Sequence, residues 1–403
     1  MSGPSTSARS APLAGIRVLD LSRLLPGPMC TLHLADLGAD VIKIEDTGQG
    51  DYARTLDAGK HAATGAMSSV YRLINRNKRS LAIDLKAPAG RDAFLRVAAQ
   101  AAVILESFRP GVTDRLGIGY DTVAAVNQHI VYCSISGFGQ TGPYRDRPGH
   151  DVNYLGYAGV LDQTGIAGGP PALSNVQIAD LLGGAMNAAT GILAALFDAA
   201  RTGIGRYIDI AMTEGSLINN IYALHALETH SATPKRGKAL LTGGMPGYSV
   251  YATKDGRYLA VGALEQKFWA ALCEALSRPD LVAGRFAQGS EGESVRRELA
   301  ATFATRTQAE WIARLENVDC CVTPVLTLDE ALEDPQVRAR GMVVTATDGS
   351  RQYATPLRMT RHDFTIARPA PKQGEQSRDV LRQAGFSDGE IEALAATRTI
   401  TGK

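Results

Sequence analysis

The feature that most constrains the fold is an alternation that starts at Leu13. Ile16-Arg17-Val18-Leu19-Asp20-Leu21 reads as a strand, Pro26-Gly27-Pro28 as a turn, Met29 to Leu37 as a helix and Asp40 to Glu45 as a second strand. Strand, helix and strand within about thirty residues make a βαβ unit, and such a crossover joins strands that run parallel. The pattern continues with strands at Leu81 to Asp84, Val103 to Leu105 and His129 to Ile135, and with helices near Ala89 to Ala99 and Tyr120 to Asn127. An α/β fold built on an open, doubly wound parallel layer is expected over this stretch.

Beyond it, residues 181 to 201 carry apolar side chains at helical spacing with Gly183, Gly184 and Gly191 among them. Small residues at that spacing let a helix pack very close to a neighbour. Arg206 to Ala211 reads as a strand and Met212 to His230 as one long helix. The pattern then changes. Tyr248 to Ala252 and Arg257 to Gly262 flank Asp255-Gly256, a strong hairpin signal, and helices are expected at Gln266 to Leu276, Ser294 to Thr305 and Gln308 to Leu315. Strand-like Met342 to Thr347 and a pair of terminal helices ending near Ala396 close the chain.

With 403 residues, more than one core is expected. A net charge of +1 suggests neither nucleic acid nor an anionic membrane as partner. No segment reads as long and apolar enough to cross a bilayer, and residues 1 to 12 read as a polar arm, so a cytoplasmic protein is expected. The five cysteines, Cys30, Cys133, Cys273, Cys320 and Cys321, show no CxxC spacing. Reduced core thiols are the expectation, with no metal. Pro26-Gly27-Pro28 lacks the GxGxxG spacing of a dinucleotide fold, and no GxxxxGK[ST] element is present.

Three acid–base residues stand out. His150 lies in a loop rich in glycine and proline after a strand, where wound sheets present functional groups. Asp180 closes the run Val176-Gln177-Ile178-Ala179 before the apolar helix. An N-cap is the structural reading for it, and the amides of that helix start, near Leu181 to Gly183, are candidate oxyanion donors. Glu265 follows Val261-Gly262-Ala263-Leu264, where the structural reading is a helix-starting glutamate. Basic residues gather at Arg76, Lys78 and Arg79 and recur at Arg109 and Arg115, as a phosphorylated ligand or a solvated face would require. Leu24, Leu25, Tyr154 and Met245 are candidate pocket liners that serve equally as core.

The chain resembles the class III CoA-transferase family, which includes the α-methylacyl-CoA racemases. The resemblance rests on Leu13-Ala14-Gly15-Ile16-Arg17-Val18-Leu19-Asp20, Ala39-Asp40-Val41-Ile42-Lys43-Ile44-Glu45, Asn77-Lys78-Arg79-Ser80, Phe108-Arg109-Pro110-Gly111 and Gly137-Phe138-Gly139-Gln140-Thr141-Gly142-Pro143. It implies a large Rossmann-like CoA-binding domain (13–230), a small α+β domain (235–335) and a segment (341–403) returning to the large domain, in an interlocked, ring-like homodimer. Lys43, Arg76, Lys78, Arg79, Arg109 and Arg115 are then expected to meet the CoA part of the substrate, with no other cofactor.

Two reactions compete within that resemblance. In the transferases the aspartate matched by Asp180 is a nucleophile that passes CoA between carboxylic acids through an aspartyl-CoA thioester. In the racemases it shares the α-proton of a 2-methyl-branched acyl-CoA with a histidine, through an enolate. Gly149-His150-Asp151 resembles the racemase motif, where many transferases have tyrosine at the His150 position. Gly262-Ala263-Leu264-Glu265 resembles the strand whose glutamate supports that histidine, and Leu25 stands where formyl-CoA transferases carry glutamine. The set His150, Asp180 and Glu265 favours a racemase acting on acyl-CoA.

Overall fold

In the computed structural model, residues 11–56 and 67–402 are described; residues 1 to 10 of the expected polar arm lie outside them. The chain divides into two compact units. The first holds the described residues up to Ala158, Asn175–Asn219 and the chain from Arg338 onwards; the second holds Gly159–Ser174 and Asn220–Val337.

The first unit is built on β1 (Arg17–Asp20), β2 (Asp40–Glu45), β3 (Lys78–Ile83), β4 (Val103–Glu106), β5 (Val131–Ser136) and β6 (Tyr207–Ala211). The second holds the antiparallel sheet β7 (Tyr248–Ala252), β8 (Tyr258–Gly262) and β9 (Val322–Pro324). Back in the first unit, β10 (Val343–Thr345) and β11 (Arg351–Tyr353) form a hairpin, and β12 (Ile400–Thr401) joins the large sheet. That sheet runs in the order β12-β3-β2-β1-β4-β5-β6. Its pairs are parallel except at β12, which lies antiparallel to β3 with Ile400 opposite Ile83.

Strand order reverses at β1, whose two neighbours are β2 and β4. Open α/β sheets place ligands outside the carboxyl ends of the strands at such a point. The sheet interior is apolar: Leu19, Ile42, Leu81 and Ile104 are fully buried, as parallel strands covered on both faces require. Phe94 and Val97 of the helix Pro88–Ala98 and Leu381 and Ile391 of the terminal helices complete the same core.

The first unit's helix runs without a break from Ala179 to Thr202 and opens with a π-helical stretch, Ala179–Met186. Contrary to the sequence reading, its length and composition would suffice to cross a bilayer. Its small side chains instead bring it against other elements of the unit. A Cβ on Gly183 would lie 2.6 Å from the Met212 carbonyl oxygen, and one on Gly215 only 2.3 Å from that of Gly183. Two backbones therefore touch where only glycine fits. The expected helix Met212 to His230 is interrupted, giving Met212–Leu217 and Ile221–His230.

The unit boundary also differs from the expected one, since residues 159–174 and 220–230, expected in the large domain, go with the smaller unit. Arg236 explains part of this: its guanidinium binds the Asp162 carbonyl at 2.7 Å, the Asp162 carboxylate at 3.0 Å and the Gly169 carbonyl at 2.5 Å. In the second unit Trp269, Leu272, Leu299 and Phe303 pack a separate core against Leu259 and Val261 of β8. Four cysteines are buried, but Cys321, where the backbone takes φ +52°, is exposed.

Candidate active site

A cleft of about 510 Å³ opens in the first unit at the carboxyl ends of β1, β4 and β5. His150 and Asp180, 30 positions apart, both line it. With them stand Leu24, Arg109, Asn153, Tyr154 and Met212.

His150 is exposed and caps the helix Asp151–Tyr157 with an extended backbone. The Asn153 side chain accepts the His150 N–H at 3.0 Å, and the His150 carbonyl accepts the Asn153 N–H at 2.8 Å. This reciprocal lock fixes the residue at the helix start. Tyr154, one turn further, is wedged between two glycines: a Cβ on Gly137 or Gly149 would fall 2.3 or 2.7 Å from its ring. Its hydroxyl donates to the Gly149 carbonyl. Burial, with Asp180 nearby, pushes that hydroxyl up to about 12.

Asp180 is not the N-cap. The helix begins earlier, and Asp180 lies inside its first turn. Capping falls to Asp151, whose Oδ1 accepts the N–H groups of Ala179 at 2.7 Å and Asp180 at 3.1 Å. The Leu181 N–H is committed to the Gln177 carbonyl at 2.9 Å. The amide expected to start an oxyanion site there is thus already bonded. Asp151 has a second effect, since it sets a carboxylate beside Asp180. Burial first, and Asp151 second, raise the Asp180 carboxyl to about 7. A half-buried acid that titrates near neutrality is suited to both giving and taking a proton.

Of the six expected CoA contacts, only Arg109 lines this cleft. Lys43, Arg76, Lys78 and Arg79 are committed inside the fold. Lys43 lies 2.8 Å from Asp51, Arg76 2.6 Å from Asp36, Lys78 3.1 Å from Asp20 and Arg79 2.6 Å from Asp40. Strand β3 begins at Lys78, three residues before the expected start, so these cations are core positions that need carboxylate partners. Arg115 is exposed on the short helix Val112–Arg115 and is not among the cleft residues.

Three cations that line the cleft were not singled out from sequence: Arg23, Arg145 and Arg147. Arg23 binds Asp46 at 2.7 Å and the Tyr52 hydroxyl at 3.0 Å. Arg147 donates to the Tyr157 hydroxyl at 2.7 Å, with its guanidinium 3.9 Å from the Tyr144 ring. Both neighbours of Pro148-Gly149 are basic or catalytic candidates, and that density in a loop is the signal that marks them.

Glu265 belongs to the second unit, where it is exposed at the start of the helix Gln266–Ala275 and makes no side-chain cap bond. Leu24 and Tyr154 line the cleft, Leu25 does not, and Met245 is buried in the second unit. Among the described residues no three His, Cys, Asp or Glu side chains gather as a metal site would require.

The CoA-transferase family III model matches residues 13–377. The chain belongs to CoA-transferase family III. It is 35% identical over 391 residues to a mouse protein named alpha-methylacyl-CoA racemase, covering 96% of this chain and 97% of that one. It is also 32% identical to mouse succinyl-CoA:glutarate CoA-transferase, covering 96% and 90%. Among solved structures, a CAIB/BAIF family protein from Brucella suis superposes with a TM-score of 0.80 at 30% identity, covering 93% of this chain and all of that one. A family III member is an enzyme of the racemase or CoA-transferase kind, and an acyl-CoA substrate is consistent with the family.

Proposed function

We propose that the protein is a racemase or epimerase of 2-methyl-branched acyl-CoA thioesters that works without a cofactor beyond the CoA of its substrate. One observation carries the reading: His150 and a carboxyl group held near neutrality line the same cleft. For one enantiomer the His150 imidazole removes the α-proton, the electron pair moves into the thioester carbonyl, and the Asp180 carboxyl delivers a proton to the opposite face. For the other enantiomer the roles reverse. The amides of Asp151 and Val152 precede the first internal bond of their helix and have no partner among the described residues. They are the donors we assign to the enolate oxygen.

Glu265 is the carboxylate we assign to orienting the imidazole, and the resemblance to racemases supports it. Arg109, with Arg23, Arg145 and Arg147, is assigned to the CoA phosphates. Leu182, Met186, Leu193 and Phe197 are exposed at helical spacing on one helix face. An apolar stripe of this kind supports the homodimer.

The competing reading, transfer of CoA through an aspartyl-CoA thioester at Asp180, draws on the transferase relatives. Incubating one pure enantiomer of a 2-methylacyl-CoA in D₂O, with and without a carboxylic acid acceptor, separates the two. Deuterium at the α-carbon and loss of optical purity without acceptor support the racemase. CoA appearing on the acceptor with no α-deuterium would replace it with the transferase.

A further inference from the structure

The turn that follows β1 forms one wall of the cleft, and the groups that hold it take no part in the proposed proton transfer. Leu24 sits in the left-handed region at φ +62°, a conformation disfavoured for any residue with a branched side chain. Its N–H donates to Asp51 Oδ1 at 3.0 Å, the same oxygen that accepts the Ala53 N–H at 2.9 Å. Asp51 Oδ2 lies 2.8 Å from Lys43 Nζ. Lys43 returns to the turn by donating to the Ser22 carbonyl at 2.9 Å, and the Ser22 N–H is held by Asp20 Oδ1 at 3.0 Å. The side chains of Lys43 and Asp51 are wholly buried. A buried ion pair is rarely needed for stability, since an apolar pair of the same volume serves as well. Strained backbone persists only where its surroundings over-determine it, and such places gather at binding sites.

We infer that Asp51, braced by Lys43, is a positioning residue: it holds Leu24 in the left-handed conformation and so sets Leu24 and Arg23 in the wall against which the acyl-CoA binds. Lys43 thereby serves the ligand from beneath the cleft without touching a phosphate. The binding consequence rests on the acyl-CoA reading above; the conformational one does not.

A cycle of Asp51→Ala, Leu24→Gly and the double variant tests this, with Asp51→Asn/Lys43→Met as the conservative control. Two readouts are needed: hydrogen exchange at the Leu24 amide, and KM and kcat for α-deuterium uptake. Asp51→Ala should speed Leu24 exchange and raise KM by about tenfold each, the loss of one charged hydrogen bond, while kcat stays within about threefold. Asp51→Asn keeps an oxygen for the two amides but turns an N–H donor toward Lys43, so it is made together with Lys43→Met, and that pair should stay near wild type in Leu24 exchange and KM. In the Leu24→Gly background, where the substituted residue adopts positive φ freely, Asp51→Ala should raise KM by less than about threefold. Unchanged Leu24 protection in Asp51→Ala, or equal KM penalties in both backgrounds, would overturn the inference. Should the unpaired Lys43 prevent folding, the Asp51→Ala/Lys43→Met variant carries the same two measurements. If the wild-type protein takes up no α-deuterium, the functional reading fails, and Leu24 exchange alone decides the positioning role.

Discussion

Replacing Asp151 by asparagine removes a charge beside Asp180 and keeps the oxygen that accepts the Ala179 and Asp180 amides. The cap should survive, so the effect is electrostatic. For any two carboxylates about 6 Å apart in an effective dielectric of about 40, each opposes ionisation of the other by about 1.4 kcal/mol, or about one pKa unit, and that is the size of effect expected here. The Asp180 carboxyl, held at about 7 by burial and by Asp151, should then titrate near 6, with burial still raising it. At pH 6 its ionised fraction rises from about one in eleven to about one half, about a fivefold gain in competent base. The assay is the initial rate of α-deuterium uptake from each enantiomer between pH 5 and 9. For the enantiomer that uses Asp180 as base, the acidic limb should move down by about one unit, and the plateau should fall because a weaker base remains. An acidic limb that stays in place for both enantiomers, or moves up, would mean that Asp151 does not raise the carboxyl that serves as base.

Three further outcomes are expected. Asp180→Asn should stabilise the fold at pH 8 and not at pH 4. A carboxyl raised in the folded state keeps a proton that the unfolded chain releases between pH 4 and 7, so stability is lost as pH rises through that window and the loss is complete above it. Discounted for partial exposure, the gain at pH 8 is about 1 to 2 kcal/mol, readable by thermal or urea unfolding at the two pH values. Arg109→Ala should weaken binding of a CoA thioester by about tenfold, measured by calorimetric titration, with little change in melting temperature. Arg79→Ala should do the reverse: it strips a partner from Asp40 and should lower the melting temperature while leaving the affinity of the folded protein within about twofold.

The alternation of β-branched runs and helices from Leu13 made the parallel layer legible, because strands covered on both faces show their burial in every residue, as Leu19 and Ile42 do. His150 and Asp180 could be read as candidates from their loop and helix contexts, and the fold brings both to one cleft. The basic run at Arg76 to Arg79 misled, because its carboxylate partners Asp20, Asp36 and Asp40 are about forty or more positions away and only the sheet brings them close. Asp151 was hidden for a similar reason. A cap is normally sought in the residues just before a helix, and here it comes from another helix 28 positions upstream. The break near Ile218 to Asn220 carries no glycine or proline, the usual local mark of an interruption.

In the proposed mechanism His150 and Asp180 work on opposite faces of one α-carbon. The most direct test follows each pure enantiomer with His150→Ala in D₂O, scoring deuterium uptake and inversion separately. Inversion should fall by at least about a hundredfold for both enantiomers. One enantiomer should still exchange its α-proton with retention, through Asp180, while the other does neither. Inversion near the wild-type rate, or equal exchange of both enantiomers, would contradict that mechanism.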